Sequence, residues 1–139
     1  MKKTMKKKGE QRDPVTVDRF GSDHWSTLAY VEVVVVDHRG VPDLRRMRCD
    51  ADRHPGLWGH AYVVPDPRKK YPTRLRGGAL LHDHDDHDCV DDLAAGGFVE
   101  VCGTGITPVY LLTDQGRAAA AALRAHKGAG GRFADFVLP

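Results

Sequence analysis

Apolar positions between residues 22 and 37 predict one regular element but do not fix its type. The β-branched Val31 and the run from Val33 to Val36 are stiff in a helix and favour a strand. A helix is favoured by the spacing of six residues behind the cap residues Ser22 and Asp23, namely Trp25, Leu28, Ala29, Glu32, Val33 and Val36. Helix and strand both stay open for this segment.

The second half of the chain predicts a helix over residues 84 to 95. One face of that helix is largely apolar and carries Asp86, Cys89, Val90, Leu93 and Ala94. The opposite face is polar and carries His84, Asp88, Asp91 and Asp92. Gly96 and Gly97 supply the stop, because glycine adopts the left-handed conformation that ends a helix.

A hairpin and a final helix are predicted next. Residues 98 to 102 and 109 to 112 read as two strands, and Gly103 and Gly105 permit the turn between them. Thr113 is a good cap for the last helix, which has Arg117 and Arg124 on its outer side. Its predicted packing face carries Ala119, Ala122, Leu123 and His126.

The middle of the chain predicts little regular structure. Residues 38 to 43 have turn chemistry, and residues 44 to 49 form a short extended run that contains several arginines. Between residues 54 and 79 the density of Pro and Gly leaves room for short strands and loops only.

Length and charge divide the chain into a tail and a body. A chain of 139 residues suits one domain, with a core large enough to be stable without disulfide bonds or structural metal ions. Six Lys or Arg residues and one Glu precede residue 13, so the start is basic although the net charge is only +2. We expect residues 1 to 13 to be a disordered basic tail and residues 14 to 139 to form one domain.

Cysteine usage and hydropathy bear on the compartment. The three cysteines show no Cys-x-x-Cys spacing, which favours free thiols in a reducing environment. No segment approaches the roughly eighteen apolar residues of a membrane helix, and residues 1 to 13 hold no signal-peptide core. We expect a cytoplasmic protein that has no membrane partner.

Two runs carry a resemblance to a known family. They are Leu93-Ala-Ala-Gly-Gly-Phe-Val99 and, after the glycine-containing hairpin, Tyr110-Leu-Leu-Thr-Asp-Gln-Gly116. Together they resemble the winged-helix domain of small bacterial and phage transcription regulators over about residues 84 to 127. The resemblance implies an α+β fold: a single winged-helix-like domain with a β-hairpin wing and a C-terminal helix. It also implies a helix before the wing that enters the major groove with basic or amide side chains.

The predicted helix before the wing departs from that pattern, because it is acidic and has no Lys or Arg. Carboxylates repel phosphates, so groove reading by this helix is disfavoured. Contacts with nucleic acid are expected instead from basic side chains elsewhere: Arg45, Arg46, Arg48, Arg68, Lys69, Lys70, Arg74 and Arg76. The acidic face is expected to bind a basic protein partner through His84, Asp88, Asp91 and Asp92.

A second resemblance competes with the first. The spacing His82-x-His84-x-Asp86-His87 is similar to the His-x-His-x-Asp-His motif of the metallo-β-lactamase fold. That resemblance implies a zinc-dependent hydrolase in which His82, His84, Asp86 and His87 are ligands of two ions. Such a site needs further His and Asp ligands from later strands, and His126 is the only histidine that follows the cluster. We therefore expect no cofactor, and zinc at these four residues if a metal binds.

These patterns order three candidate functions. The first is a non-enzymatic regulatory binding protein of winged-helix type that acts on or near nucleic acid. The alternative is a bacterial or phage inhibitor or adaptor that docks its acidic helix face on a basic protein that handles nucleic acid. The third is the zinc-dependent hydrolase. Whether the chain forms a homodimer stays open.

Overall fold

The computed structural model describes residues 13–37, 39–42, 72–103 and 108–139. Three α-helices lie in these ranges: α1 (Ser22–Asp37), α2 (Asp86–Ala95) and α3 (Asp114–Gly128). Two antiparallel hairpins accompany them, β1 (Thr73–Arg74) with β2 (Leu80–Leu81) and β3 (Val99–Gly103) with β4 (Pro108–Leu112). Short 3-10 turns occur at Val17–Arg19, Arg76–Gly78 and Phe133–Asp135. The predicted α+β class is confirmed.

Helix α1 is the centre of the core and settles the ambiguity over residues 22 to 37. Every residue from 23 to 34 is buried, and α1 contacts both other helices and strand β4. Leu28, Val31 and Val34 have no exposed surface. Burial on all sides compensates the weak helix propensity of the valines, because each buried side chain contributes about 1.5–3 kcal/mol of hydrophobic free energy.

Helix α2 begins two residues later than predicted because Asp85 forms its N-cap. The Asp85 side chain accepts the Asp88 N–H at 3.0 Å, and the Asp88 side chain accepts the Asp85 N–H at 3.0 Å. This reciprocal capping box satisfies two backbone donors that the first turn leaves unpaired. The helix ends as predicted, with Gly97 in the left-handed region at φ 91°.

The predicted hairpin is present as β3 and β4. Its register runs from Val99 opposite Leu112 at the inner end to Gly103 opposite Pro108 at the outer end. Val99 and Leu112 are buried, whereas β3 beyond Val99 is exposed. The outer half of β4 is covered in part, since Pro108 and Val109 are half-buried and the Tyr110 N–H donates to the Gly40 carbonyl at 2.7 Å.

Helix α3 follows the hairpin directly. The Thr113 side chain caps it by accepting the Gly116 N–H at 2.9 Å. The predicted packing face is largely confirmed, since Ala119 and Leu123 are buried and Ala122 packs against the core. An ion pair between Arg124 and Glu32 links α3 to α1.

Candidate functional site

Three ionisable side chains meet in the interior of the protein. They are His24 on α1, His84 in the loop before α2, and Asp92 on α2, with 0, 2 and 4 % of their surfaces exposed. The Nε2 atoms of both histidines lie 2.8 Å from the same oxygen, Asp92 Oδ2. This cluster, which we call the His24–Asp92–His84 triad, joins three separate parts of the chain through one carboxylate oxygen.

A second layer of contacts orients the triad. The Val15 N–H donates to Asp92 Oδ1 at 3.0 Å, which leaves Oδ2 for the two imidazoles. The Thr73 hydroxyl lies 2.8 Å from His84 Nδ1 and 2.7 Å from the His84 carbonyl oxygen. Phe20 stacks on the His24 ring with the centroids 4.3 Å apart. Each ring and the carboxylate are thus held in one orientation.

The Thr73 hydroxyl determines where His84 carries a proton. A carbonyl oxygen can only accept, so the single Thr73 hydroxyl proton is donated to the His84 carbonyl. The hydroxyl oxygen must then accept from His84, which places an N–H at Nδ1. A neutral His84 would consequently present the bare lone pair of Nε2 to the Asp92 carboxylate. A proton or another cation is required between these two atoms.

Asp92 is adapted to stay charged in this interior. Burial by itself would raise its pKa, but hydrogen bonds from His24, from His84 and from the Val15 N–H outweigh burial and lower the pKa to about 2. His24 Nδ1, by contrast, has no hydrogen-bond partner within the described part of the chain. The triad therefore combines an anionic oxygen with two fixed imidazole nitrogens.

The burial of Asp92 and His84 corrects the predicted exposed face of α2. Helical spacing alone places Asp92 away from the apolar face. In the structure, the segment before α1 covers that side of the helix: the Val15 N–H binds the Asp92 carboxylate, and the Val17 side chain lies close to Gly96. Of the four residues predicted to bind a partner, Asp91 is exposed and Asp88 half-buried, whereas His84 and Asp92 are inaccessible.

The predicted metal ligands do not gather at one point. His82 and His87 are exposed, while His84 turns inward, and the side chain of Asp86 is not described. Within the described ranges, the one group of three such side chains with metal-ligand spacing is the His24–Asp92–His84 triad. His24 was missed by the sequence analysis. Its position inside an apolar helix was the available signal, because a buried polar side chain needs a partner.

Two of the predicted nucleic-acid contacts lie in described parts of the chain. Arg74 is an exposed residue of β1, and its backbone N–H donates to the Asp23 carboxylate at 2.7 Å. Arg76 is exposed in the turn of the β1–β2 hairpin. The predicted residues outside the described ranges are Arg45, Arg46, Arg48, Arg68, Lys69 and Lys70, together with residues 1 to 12 of the basic tail.

Two of the three predicted free thiols are described and confirmed: Cys89 is buried and Cys102 is exposed, and neither forms a disulfide. No helix in the described ranges combines the length and the hydropathy that crossing a membrane requires.

Comparisons with protein-family models, with curated proteins and with solved structures find no match.

Proposed function

We propose that this chain is a non-enzymatic regulatory binding protein of winged-helix type that acts on or near nucleic acid. The observation that carries the proposal is the succession of α2, the β3–β4 hairpin and α3, with strand β3 exposed beyond Val99. The same succession, helix, hairpin wing, helix, is what the Leu93–Val99 and Tyr110–Gly116 runs resemble. An exposed hairpin beside a helix is suited to contacting an extended ligand such as a duplex.

The distribution of charge favours the β1–β2 hairpin over α2 as the surface that contacts phosphates. The exposed side of α2 and its cap carry Asp85 and Asp91, and these carboxylates would repel phosphates. Arg74 and Arg76 instead present two guanidinium groups on the β1–β2 hairpin. Guanidinium groups bind phosphate oxygens in bidentate fashion, so we assign the phosphate contacts to this hairpin and not to α2.

The experiment is a fluorescence-anisotropy titration of a duplex DNA with the full chain at several salt concentrations. Replacing Arg74 and Arg76 together by Gln should weaken binding and reduce the slope of log K against log salt by about two, since each phosphate contact contributes roughly one. The double variant should keep its unfolding midpoint, because the Arg74 contact with Asp23 uses the backbone N–H and the contact of the Arg76 side chain with the Asp18 carbonyl, at 3.5 Å, is long and exposed.

A matched control removes one positive charge elsewhere on the surface. Arg117→Gln alters an exposed arginine on α3 that pairs with Asp114, and its salt slope should equal that of the wild type. Absence of duplex binding by the wild type even at low salt would refute the proposal. An equal loss in Arg117→Gln would show that net charge, and not the β1–β2 hairpin, carries the affinity.

One observation favours the alternative, an adaptor or inhibitor that docks on a basic protein. Burial and the negative charges of Asp88 and Asp92 raise the pKa of Asp91. A raised pKa means that the folded protein disfavours the Asp91 carboxylate, so a cation brought to this face would relieve the repulsion. The half-buried Asp88 and the exposed Asp91 are the accessible part of the predicted partner surface.

Binding of a fluorescent lysine-rich peptide tests this alternative. Replacing Asp88 and Asp91 together by Asn should weaken peptide binding about tenfold or more at low salt, because the accessible carboxylates of the predicted partner surface are lost. It should leave or strengthen duplex binding. Asp135→Asn, which removes an exposed carboxylate paired with Arg132, should bind the peptide like the wild type. A double variant that binds the peptide as tightly as the wild type would exclude α2 as the docking face.

A further inference from the structure

We propose that the His24–Asp92–His84 triad is a binding site for one divalent transition-metal ion of the zinc type. Two imidazole nitrogens and one carboxylate oxygen are ligands that such ions prefer. Their ligand atoms all lie within 4.8 Å of one another and are buried. The site is separate from the surfaces assigned to nucleic acid and to a basic partner, so it does not depend on the proposed function.

The contacts around the triad hold its ligand atoms together, with both imidazole Nε2 atoms 2.8 Å from Asp92 Oδ2. His84 is fixed with its proton on Nδ1 by Thr73, so Nε2 offers a lone pair. Asp92 uses Oδ1 for the Val15 N–H and turns Oδ2 toward both histidines. His84 and Asp92 are therefore held as metal ligands in proteins commonly are, with the atom that does not bind metal engaged by a hydroxyl or a backbone group. His24 Nδ1 has no such partner among the described residues.

A bound metal ion would also account for the close approach of His84 Nε2 to Asp92 Oδ2. Without metal, the 2.8 Å contact between His84 Nε2 and Asp92 Oδ2 needs a proton between the two atoms, because each offers a lone pair. A divalent ion replaces that proton and the proton that His24 Nε2 donates to Asp92. Metal binding should therefore release protons to the solvent, as it does at other histidine sites.

The distances identify what must move on binding. Tetrahedral zinc, with bonds of about 2.0–2.1 Å, holds neighbouring ligand atoms roughly 3.3 Å apart. The two Nε2–Oδ2 distances of 2.8 Å must therefore open by about half an ångström. The triad supplies three ligand atoms, so a tetrahedral ion would take its fourth ligand from a water molecule or from another donor.

The consequence of occupancy would be a link between three segments. His24 belongs to α1, His84 to the loop that follows β2, and Asp92 to α2, whose own backbone leads into the β3–β4 hairpin. An ion held by all three would fix α2 against α1 and so set the position of the hairpin. Because the ligands are inaccessible to solvent, the ion would act in the structure and not on a substrate.

The test uses the full chain, freed of any affinity tag and stripped by a chelator, and titrates it with Co(II) followed by Zn(II). We expect one equivalent of Co(II) per chain, visible ligand-field absorption, displacement by Zn(II), release of protons and a raised melting temperature. His24→Gln and His84→Gln should each lower the affinity by about 100-fold or more. Thr73→Val, which frees His84 Nδ1, should lower it about 10- to 100-fold.

The matched controls are His82→Gln and His87→Gln, the same substitution at exposed histidines beside the triad. Both should still bind one equivalent. Failure of the wild type to bind Co(II) or Zn(II), or loss of binding in the two controls with retention in His24→Gln and His84→Gln, would overturn the proposal. If the triad variants do not fold, X-ray absorption of the wild-type Co(II) protein decides: two imidazole ligands support the site, and fewer than two overturn it.

Discussion

Replacing Gly116 by alanine is expected to destabilise the protein by about 3 kcal/mol, measured as the free energy of unfolding in urea. Gly116 lies in the first turn of α3, where a Cβ atom would stand 1.9 Å from the Phe98 carbonyl oxygen and 2.9 Å from its carbon. Both contacts are with backbone, which cannot rotate away as a side chain can. The start of α3 would have to move off the end of β3.

The same substitution at the other end of the helix provides the control. A Cβ atom at Gly128 would meet nothing within 4 Å. Gly128→Ala should therefore be neutral or stabilise the helix by up to about 1 kcal/mol, because alanine has the higher helix propensity. Equal unfolding free energies for Gly116→Ala and the wild type would show that α3 does not approach β3 as closely as the structure indicates.

The second large effect is expected from Asp92→Ala. This change removes the acceptor for three buried donors, the two histidine Nε2 atoms and the Val15 N–H. Leaving buried donors or a buried charge unpaired costs about 3–5 kcal/mol. We therefore expect a fall of that size in the free energy of unfolding of the metal-free protein.

Asp91→Asn is the neighbouring control for this prediction. Its exposed carboxylate repels Asp88, and like charges one turn apart destabilise a helix by about 0.2–0.5 kcal/mol. This variant should match or slightly exceed the stability of the wild type. An Asp92→Ala protein as stable as Asp91→Asn would mean that the triad contributes nothing to the fold.

The free energy of unfolding measured at decreasing pH tests the contribution of the negative charge of Asp92, apart from the size of its side chain. The pKa of Asp92 is lowered from 3.8 to about 2 in the folded protein, so the unfolded chain takes up its proton first as the pH falls. The stabilisation by the carboxylate is complete above pH 3.8 and is lost as the pH falls toward 2. In the metal-free protein, Asp92→Asn should lack this part of the acid dependence.

Local signals in the sequence determined the second half of the fold. The capping residues Asp85 and Thr113, the glycine stop at Gly97 and the alternation of two short apolar runs act over a few residues each. Such signals depend on backbone hydrogen bonds and allowed dihedral angles, which are set by near neighbours. Helix α2 and the β3–β4 hairpin were therefore predicted with bounds that differ from the structure by a residue or two, and α3 with its N-cap at Thr113.

Tertiary packing decided two points. It made residues 22 to 37 a helix, which periodicity had left open, and it buried Asp92 and His84, which periodicity had placed on the surface. Val31, Val33 and Val34 of α1 are in a helix because the core surrounds them, a non-local condition that overrides their strand preference. Asp92 and His84 are buried because the chain around Val15 and the α1 residue His24 come to lie beside them, 77 and 68 residues from Asp92 in sequence. The sequence by itself determined α2, the β3–β4 hairpin and the start of α3, to within a residue or two. The convergence of two histidines on one carboxylate came from packing, because no short-range pattern records which distant segment covers a given helix face.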